Sequence, residues 1–195
     1  MFSFLVAAVL QVGPTSEYRM PSAAARVARD GDVVRIAAGT YNGDVCAWTA
    51  NNLTIRGAGC DSTVVAADGY SHNLYVGAVK KLVFRSCRSG RANGGHALKS
   101  RARETVIEDS VFDDAIAGVS GSKASSYLVD CPNGGRITLR NCRLHQSADA
   151  DNGTMIAIGE EGAYPETSLV NEGNTFVNDR AAGCVEVRWE KMLRP

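Results

Sequence analysis

The phrase Leu53-Thr-Ile-Arg-Gly returns four times along the chain. It recurs as Leu82-Val-Phe-Arg-Ser-Cys87, Val106-Ile-Glu-Asp-Ser-Val-Phe112, Ile137-Thr-Leu-Arg-Asn-Cys-Arg-Leu144 and, more loosely, Leu169-Val-Asn-Glu-Gly-Asn-Thr-Phe176. With Ile55, Phe84, Ile107, Leu139 and Val170 taken as equivalent, the steps are 29, 23, 32 and 31 residues, one solenoid coil per copy. Apolar and polar residues alternate within each copy, as a half-buried strand requires, and Gly or Asn follows where the chain must turn. No helix-length segment separates the copies, which excludes a βαβ sheet. The coils must therefore stack, each burying its apolar row on the next, with Cys87, Ser110, Asn141 and Cys142 in ladders inside the corners.

This pattern predicts an all-β chain: a single-stranded parallel β-helix of about five coils. Twenty glycines, five prolines and short runs rich in Val, Ile and Thr agree with it. One short helix is predicted over Pro21–Arg29, where proline opens an alanine run and Asp30-Gly31 ends it; it reads as a cap over the open sheet edge. No comparable cap is visible in Cys184–Pro195. The 195 residues, 45% of them hydrophobic, suit one domain over residues 11–195. The 21 basic and 21 acidic residues cancel, so no basic field recruits nucleic acid, and a monomer is expected.

Residues 1–10 (MFSFLVAAVL) form a separate apolar segment, the remnant of an export signal or a first strand, too short to span a bilayer. The six cysteines show no zinc spacing, and no metal or cofactor is expected. Cys87 and Cys142 recur at one place in the repeat, which favours stacked thiols, with disulfides the alternative.

The stretch from Gln11 to about Asp179 resembles the right-handed parallel β-helix proteins of the pectin-lyase-like superfamily, and Pro21–Gly39 resembles their opening helix and first coil. The segments Asp68–Gly77, Gly95–Ala102, Ser126–Gly135 and Asn152–Gly162 are similar to exported bacterial β-helix repeat proteins. Those relatives carry further coils between Ala67 and Asp68, so the resemblance implies a shortened chain, secreted or periplasmic, whose partner is an acidic polysaccharide or another carbohydrate.

Matching Ser71-His-Asn-Leu-Tyr-Val-Gly77 to Gly95-His-Ala-Leu-Lys-Ser-Arg101 at an offset of 24 stacks Leu74 on Leu98 inside the solenoid. Alternation then turns Asn73, Tyr75, Lys99 and Arg101 outward, with His72 and His96 at matching positions. Chemistry at C5 of a uronate needs a cation on the carboxylate, a base for the C5 proton and an acid for the leaving oxygen or opposite face. Arg101 suits the first role. Lys99, its pKa depressed by Arg101 and Arg103, suits the second with His72 as rival, and Tyr75 or His96 suits the third. Asn73, Arg103 and Tyr127 complete the set as substrate-binding residues. Lys99-Ser100 is similar to the Lys-Ser phrase of β-helix alginate and chondroitin lyases. Their arginine lies a coil later, where this chain has Tyr127-Leu-Val-Asp130. Only the histidine of the Asp-Pro-His-Asp phrase of mannuronan C5-epimerases is echoed, in Asp68-Gly-Tyr-Ser-His72.

The expected function is thus a lyase or C5-epimerase on uronate polymers; the alternative is a non-catalytic carbohydrate-binding or structural β-helix. Hydrolysis through Asp113-Asp114 or Glu160-Glu161 is weaker, because neighbours on an extended chain splay apart. Asp149, Asp151 and Asn152 read as a solvated loop before a calcium site, Trp48 and Trp189 as packing before sugar platforms, and Glu160 and Glu161 as a solvated turn.

Overall fold

In the computed structural model the described residues are 6–66, 71–90, 92, 94–114, 125–180 and 185–189. Strand β1 (Val9–Val12) and helix α1 (Pro21–Ala25) come first. Six strand triplets follow: β2 (Val33–Ile36), β3 (Gly39–Asn42) and β4 (Ala47–Trp48); then β5 (Leu53–Gly57), β6 (Thr63–Ala66) and β7 (Leu74–Val76). Next are β8 (Lys81–Arg85), β9 (Arg88–Gly90) and β10 (Leu98–Ser100), then β11 (Glu104–Glu108), β12 (Val111–Asp113) and β13 (Val129–Cys131). The last two are β14 (Arg136–Arg140), β15 (Arg143–Gln146) and β16 (Thr154–Ile158), then β17 (Ser168–Glu172), β18 (Thr175–Asn178) and β19 (Val185–Trp189).

Members of each triplet join three different sheets in the same order, and every pairing between triplets is parallel. The first sheet runs β1-β2-β5-β8-β11-β14-β17, the second β3 to β18 and the third β4 to β19. The result is an all-β, solenoid-like stack with six strand triplets where the repeat suggested about five coils. The extra one is β2 to β4, whose Val34 sits in register with Ile55.

Val34, Ile55, Phe84, Ile107 and Leu139 form one continuous inner row, each at most 1% exposed. The row ends one residue away from the expected place. Leu139 pairs with Asn171, and Val170 pairs with the outward Thr138. Val170 therefore faces outward with Thr138 and is 36% exposed.

The corner after the first sheet is set by backbone conformation. Ser86, Asp109, Asn141 and Gly173 all adopt positive φ, between 50° and 64°. Asn141 is thus the exposed turn residue, and the inward ladder runs Cys87, Ser110, Cys142, Asn174. Its members satisfy the corner: the Cys142 N–H donates to Asn174 Oδ1 at 2.7 Å, and Asn174 Nδ2 donates to the Leu139 carbonyl at 2.7 Å. The five described cysteines are free thiols, and Cys87 and Cys142 are buried. Cys184 lies outside the described residues.

Helix α1 is shorter than predicted. The chain leaves it at Arg26 because Asp32 draws the Arg29 N–H to Oδ2 and the Ala8 N–H to Oδ1, each at 2.8 Å. Asp44 accepts from the Ser22 N–H at 2.7 Å, the acceptor that Met20 lacks at the helix start. Buried Ala24 and Pro21 place α1 against β1 and β4. Val9–Val12 is a first strand; residues 1–5 lie outside the described residues, as do the junction Ala67–Asp68 and residues 190–195. Among the described residues no helix is long and apolar enough to cross a membrane.

Candidate functional site

The outer face of the third sheet carries the row Ala47, Tyr75, Lys99, Asp130, Ala157, Arg188, each in register with the next. The expected offset of 24 holds here, Leu98 on Leu74 and Lys99 on Tyr75. Three residues upstream a second row stacks His72, His96 and Tyr127. Ring centroids lie 4.6 Å apart between His72 and His96, and 5.1 Å between His96 and Tyr127. Arg101 follows β10 and extends Nε to the Tyr75 hydroxyl at 3.0 Å, Nη1 to Asn133 Oδ1 at 2.8 Å and Nη2 to Glu161 Oε2 at 2.6 Å. His72, Tyr75, His96, Lys99, Arg101 and Tyr127 thus share one face.

Asn73 does not join them. It is fully buried, because it stands at the corner before β7, where alternation has not begun. Its Nδ2 donates to the Gly90 carbonyl at 2.7 Å and to Ser89 Oγ at 3.0 Å. Arg103 lies around the next corner, paired with Glu166 at 2.9 Å and stacked 4.4 Å over the Tyr164 ring. Ser100 is buried, its hydroxyl 2.8 Å from that of Thr105, so this half of the Lys-Ser phrase ties one strand to the next.

Lys99 also departs from expectation. Its Nζ lies 2.9 Å from Asp130 Oδ2 and 3.1 Å from Glu161 Oε1. Burial pulls its pKa down, but the hydrogen bond and charge of Asp130, then those of Glu161, outweigh this and raise it. Lys99 is therefore held as an ammonium. The expectation overlooked two carboxylates brought from later coils, Asp130 by register with Lys99 and Glu161 by the turn after β16.

Both histidines have a backbone-fixed tautomer. The His96 N–H donates to His72 Nδ1 at 3.1 Å, and the Tyr127 N–H donates to His96 Nδ1 at 3.2 Å. Each neutral ring therefore carries its proton on Nε2. His96 Nε2 points at Asp130 Oδ2, 3.3 Å away. That contact is a neutral N–H donating to a carboxylate, since a protonated imidazole has no lone pair for the Tyr127 amide. Burial, then the charges of His72 and Lys99, push the His96 pKa down to about 3. Burial, then Lys99 and Arg101, also lower that of His72.

A pH dependence follows. In the unfolded chain His96 binds a proton near pH 6.5; the folded chain refuses it until about pH 3. Its contribution is thus fully present above pH 6.5 and is lost as pH falls toward 3. His96→Asn keeps an acceptor for the Tyr127 amide and cannot titrate. The stability advantage of the wild type over this variant, read from urea unfolding, is expected to shrink by about 2 kcal/mol between pH 6.5 and 5. An advantage that stays constant over that range contradicts the neutral buried ring.

Asp130 was absent from the sequence-based set, yet it is the most buried charge of the face. Its side chain is 3% exposed; Oδ2 takes Lys99 and His96, while Oδ1 has no hydrogen-bond partner among the described residues. Burial raises its pKa, against the lowering by Lys99. Asn133, Glu160 and Glu161 also border this face, although Glu160 and Glu161 read from the sequence as a solvated turn. Glu160 accepts from the Tyr127 hydroxyl at 2.9 Å and lies 3.6 Å from Arg188. Their signal was the coil spacing, 31 residues from Lys99 to Asp130, read past a charge that looked solvated.

The other pairs lie elsewhere. Asp113 faces Arg88 and His145, whereas Asp114 is buried beside Ser125, and burial raises its pKa to about 7. Trp48 is buried and Trp189 is 46% exposed. Asn152 commits its amide to Ser126 and the Thr154 N–H. Among the described residues no three His, Cys, Asp or Glu side chains are placed to hold a metal ion. No protein-family model matches the chain, and no curated protein matches it.

Proposed function

We propose that this protein is a right-handed parallel β-helix of the pectin-lyase-like kind, exported, and that it binds uronate-containing polysaccharide through Lys99 and Arg101. One observation carries the reading: Lys99 Nζ and Arg101 Nη2 hold the two oxygens of a single carboxylate, that of Glu161, between them. A uronate group has the same chemistry. Glu161 is 47% exposed and sits on a turn, so a substrate carboxylate can take its place without breaking the core. The incoming carboxylate would meet the same two cations that Glu161 leaves, so the exchange replaces one ion pair with another of the same kind. The polymer would lie along the row of coils, with Tyr75 and His72 Nε2–H beside it as neutral donors.

Binding is favoured over turnover because Lys99 is held protonated by Asp130 and Glu161, which removes it as the base for a C5 proton. The Tyr75 hydroxyl favours the second reading, a lyase or C5-epimerase. Its oxygen accepts from Arg101 Nε and leaves its own proton free to donate beside the bound carboxylate.

Calorimetric titration with polyuronates separates these readings. Arg101→Ala is expected to weaken binding about tenfold or more, the worth of one charge-assisted hydrogen bond. Glu161→Gln is expected to tighten it, because the internal competitor loses its charge. Equal affinity for a neutral polymer, or loss of binding in Glu161→Gln, overturns the proposal. Unsaturated uronate, or deuterium exchange at C5 in the same samples, puts turnover above simple binding.

A further inference from the structure

On the outer face of the first sheet, Gln11, Arg35, Arg56 and Arg85 occupy one register row across four neighbouring strands. Successive members stand roughly 5 Å apart. Like charges directly opposite across strands destabilise a sheet. The rest of this row avoids that cost: Arg85 pairs with Glu108, which is also near Arg140, and Arg140 pairs with Glu172 at 2.7 Å. Charge alternates there from strand to strand. Arg35 and Arg56 break the rule, being exposed and having no hydrogen bond or ion pair among the described residues.

Both border a groove of about 390 Å³ lined by Gln11, Ile36, Ala37, Gly57 and Ala58 besides the two arginines. Small side chains at this corner keep it open. Gly57 adds no side chain to it, and a Cβ there would point inward, 2.3 Å from the Ser86 carbonyl oxygen and 2.9 Å from Cys87 Sγ. The backbone amides give the groove nothing further, since the Ala58 N–H is spent on Thr63 Oγ1 and the Ala37 N–H on the Val12 carbonyl. Its positive character comes from the two guanidinium forks, beside which Gln11 is a neutral lining residue.

We infer that Arg35 and Arg56 form a binding site for a doubly charged oxyanion, a phosphate or sulfate group. Each guanidinium presents a planar pair of donors suited to such oxygens. Two uncompensated positive charges match a dianion, while a single carboxylate leaves one unanswered. The groove lies within the range of small-molecule clefts, with space beyond the anion for a larger molecule bearing it as an ester. It lies on a different sheet from Lys99 and Arg101 and does not depend on the function proposed for them.

The test is titration of the full chain with inorganic sulfate and phosphate at constant ionic strength, with acetate as the singly charged comparison. Saturable binding of sulfate is expected, with acetate about tenfold weaker or more. Arg35→Gln and Arg56→Gln are each expected to weaken sulfate binding about tenfold, whereas Arg140→Gln leaves it unchanged. Both arginines are exposed, and either change relieves repulsion, so the variants retain the fold. A sulfated disaccharide distinguishes the source. Tighter binding than inorganic sulfate identifies an ester on a carbohydrate, and equal or weaker binding identifies the free ion. No saturable sulfate binding, or binding equal in the wild type and the Arg35→Gln/Arg56→Gln double variant, overturns the inference.

Discussion

Phe84→Ala is expected to lower the unfolding free energy by about 3–5 kcal/mol, a large fraction of the roughly 5–15 kcal/mol that holds a domain together. Phe84 is fully buried in the middle of the inner row, between Ile55 and Ile107, with its ring 5.8 Å from that of Phe112. Truncation removes the packing of both neighbouring coils at once. In a stack where each unit contacts only its neighbours, a central void also weakens the coupling between the two halves. Val83→Ala, on the same strand but facing outward and half-buried, is expected to cost under about 1 kcal/mol. Equal losses in urea unfolding, or a Phe84→Ala loss below 1 kcal/mol, contradict the assigned inner row.

The inner row was legible because burying one strand face imposes a period of two, and a coil imposes a recurring distance. Together they placed Ile55, Phe84, Ile107 and Leu139 in register, and Leu74 on Leu98. The signal failed where one constraint was missing. In β17 both Leu169 and Val170 are apolar, and the terminal triplet is largely exposed, so alternation did not decide between registers. At Asn73 the strand had not begun, and the corner turned an amide inward to serve carbonyls of two other strands, at Val65 and Gly90. The site's cations were legible as a cluster, but their state was not. Glu161 is 62 residues from Lys99, two coils onward, and only the folded stack shows that its carboxylate meets Lys99 and Arg101. Charged residues at solvent-like positions carry no periodic mark of their partners. The coil spacing set Asp130 beside Lys99, but nothing in the sequence marked its burial against Lys99 and His96.

The second large effect is expected at Gly95, where valine should cost at least about 3 kcal/mol and disturb the aromatic row of the candidate site. The reason is space. A Cβ there would stand 2.3 Å from the Ser71 carbonyl oxygen and 2.6 Å from its carbon. Both atoms belong to the backbone one coil below, so no rotamer change relieves the clash and the two coils must separate. The Ser126 N–H donates to the Gly95 carbonyl, and the Asn73 N–H donates to the His96 carbonyl at 3.1 Å, so separation strains the coils on both sides. The His72 and His96 rings, 4.6 Å apart, lose their stacking first, along with the amide that fixes the His72 tautomer. Two measurements check this together: urea unfolding for the loss of stability, and imidazole NMR shifts for the loss of the Nε2–H form of His72. A Gly95→Val protein with wild-type stability and unchanged imidazole shifts would mean that β7 and β10 are not in the close register on which the candidate site rests.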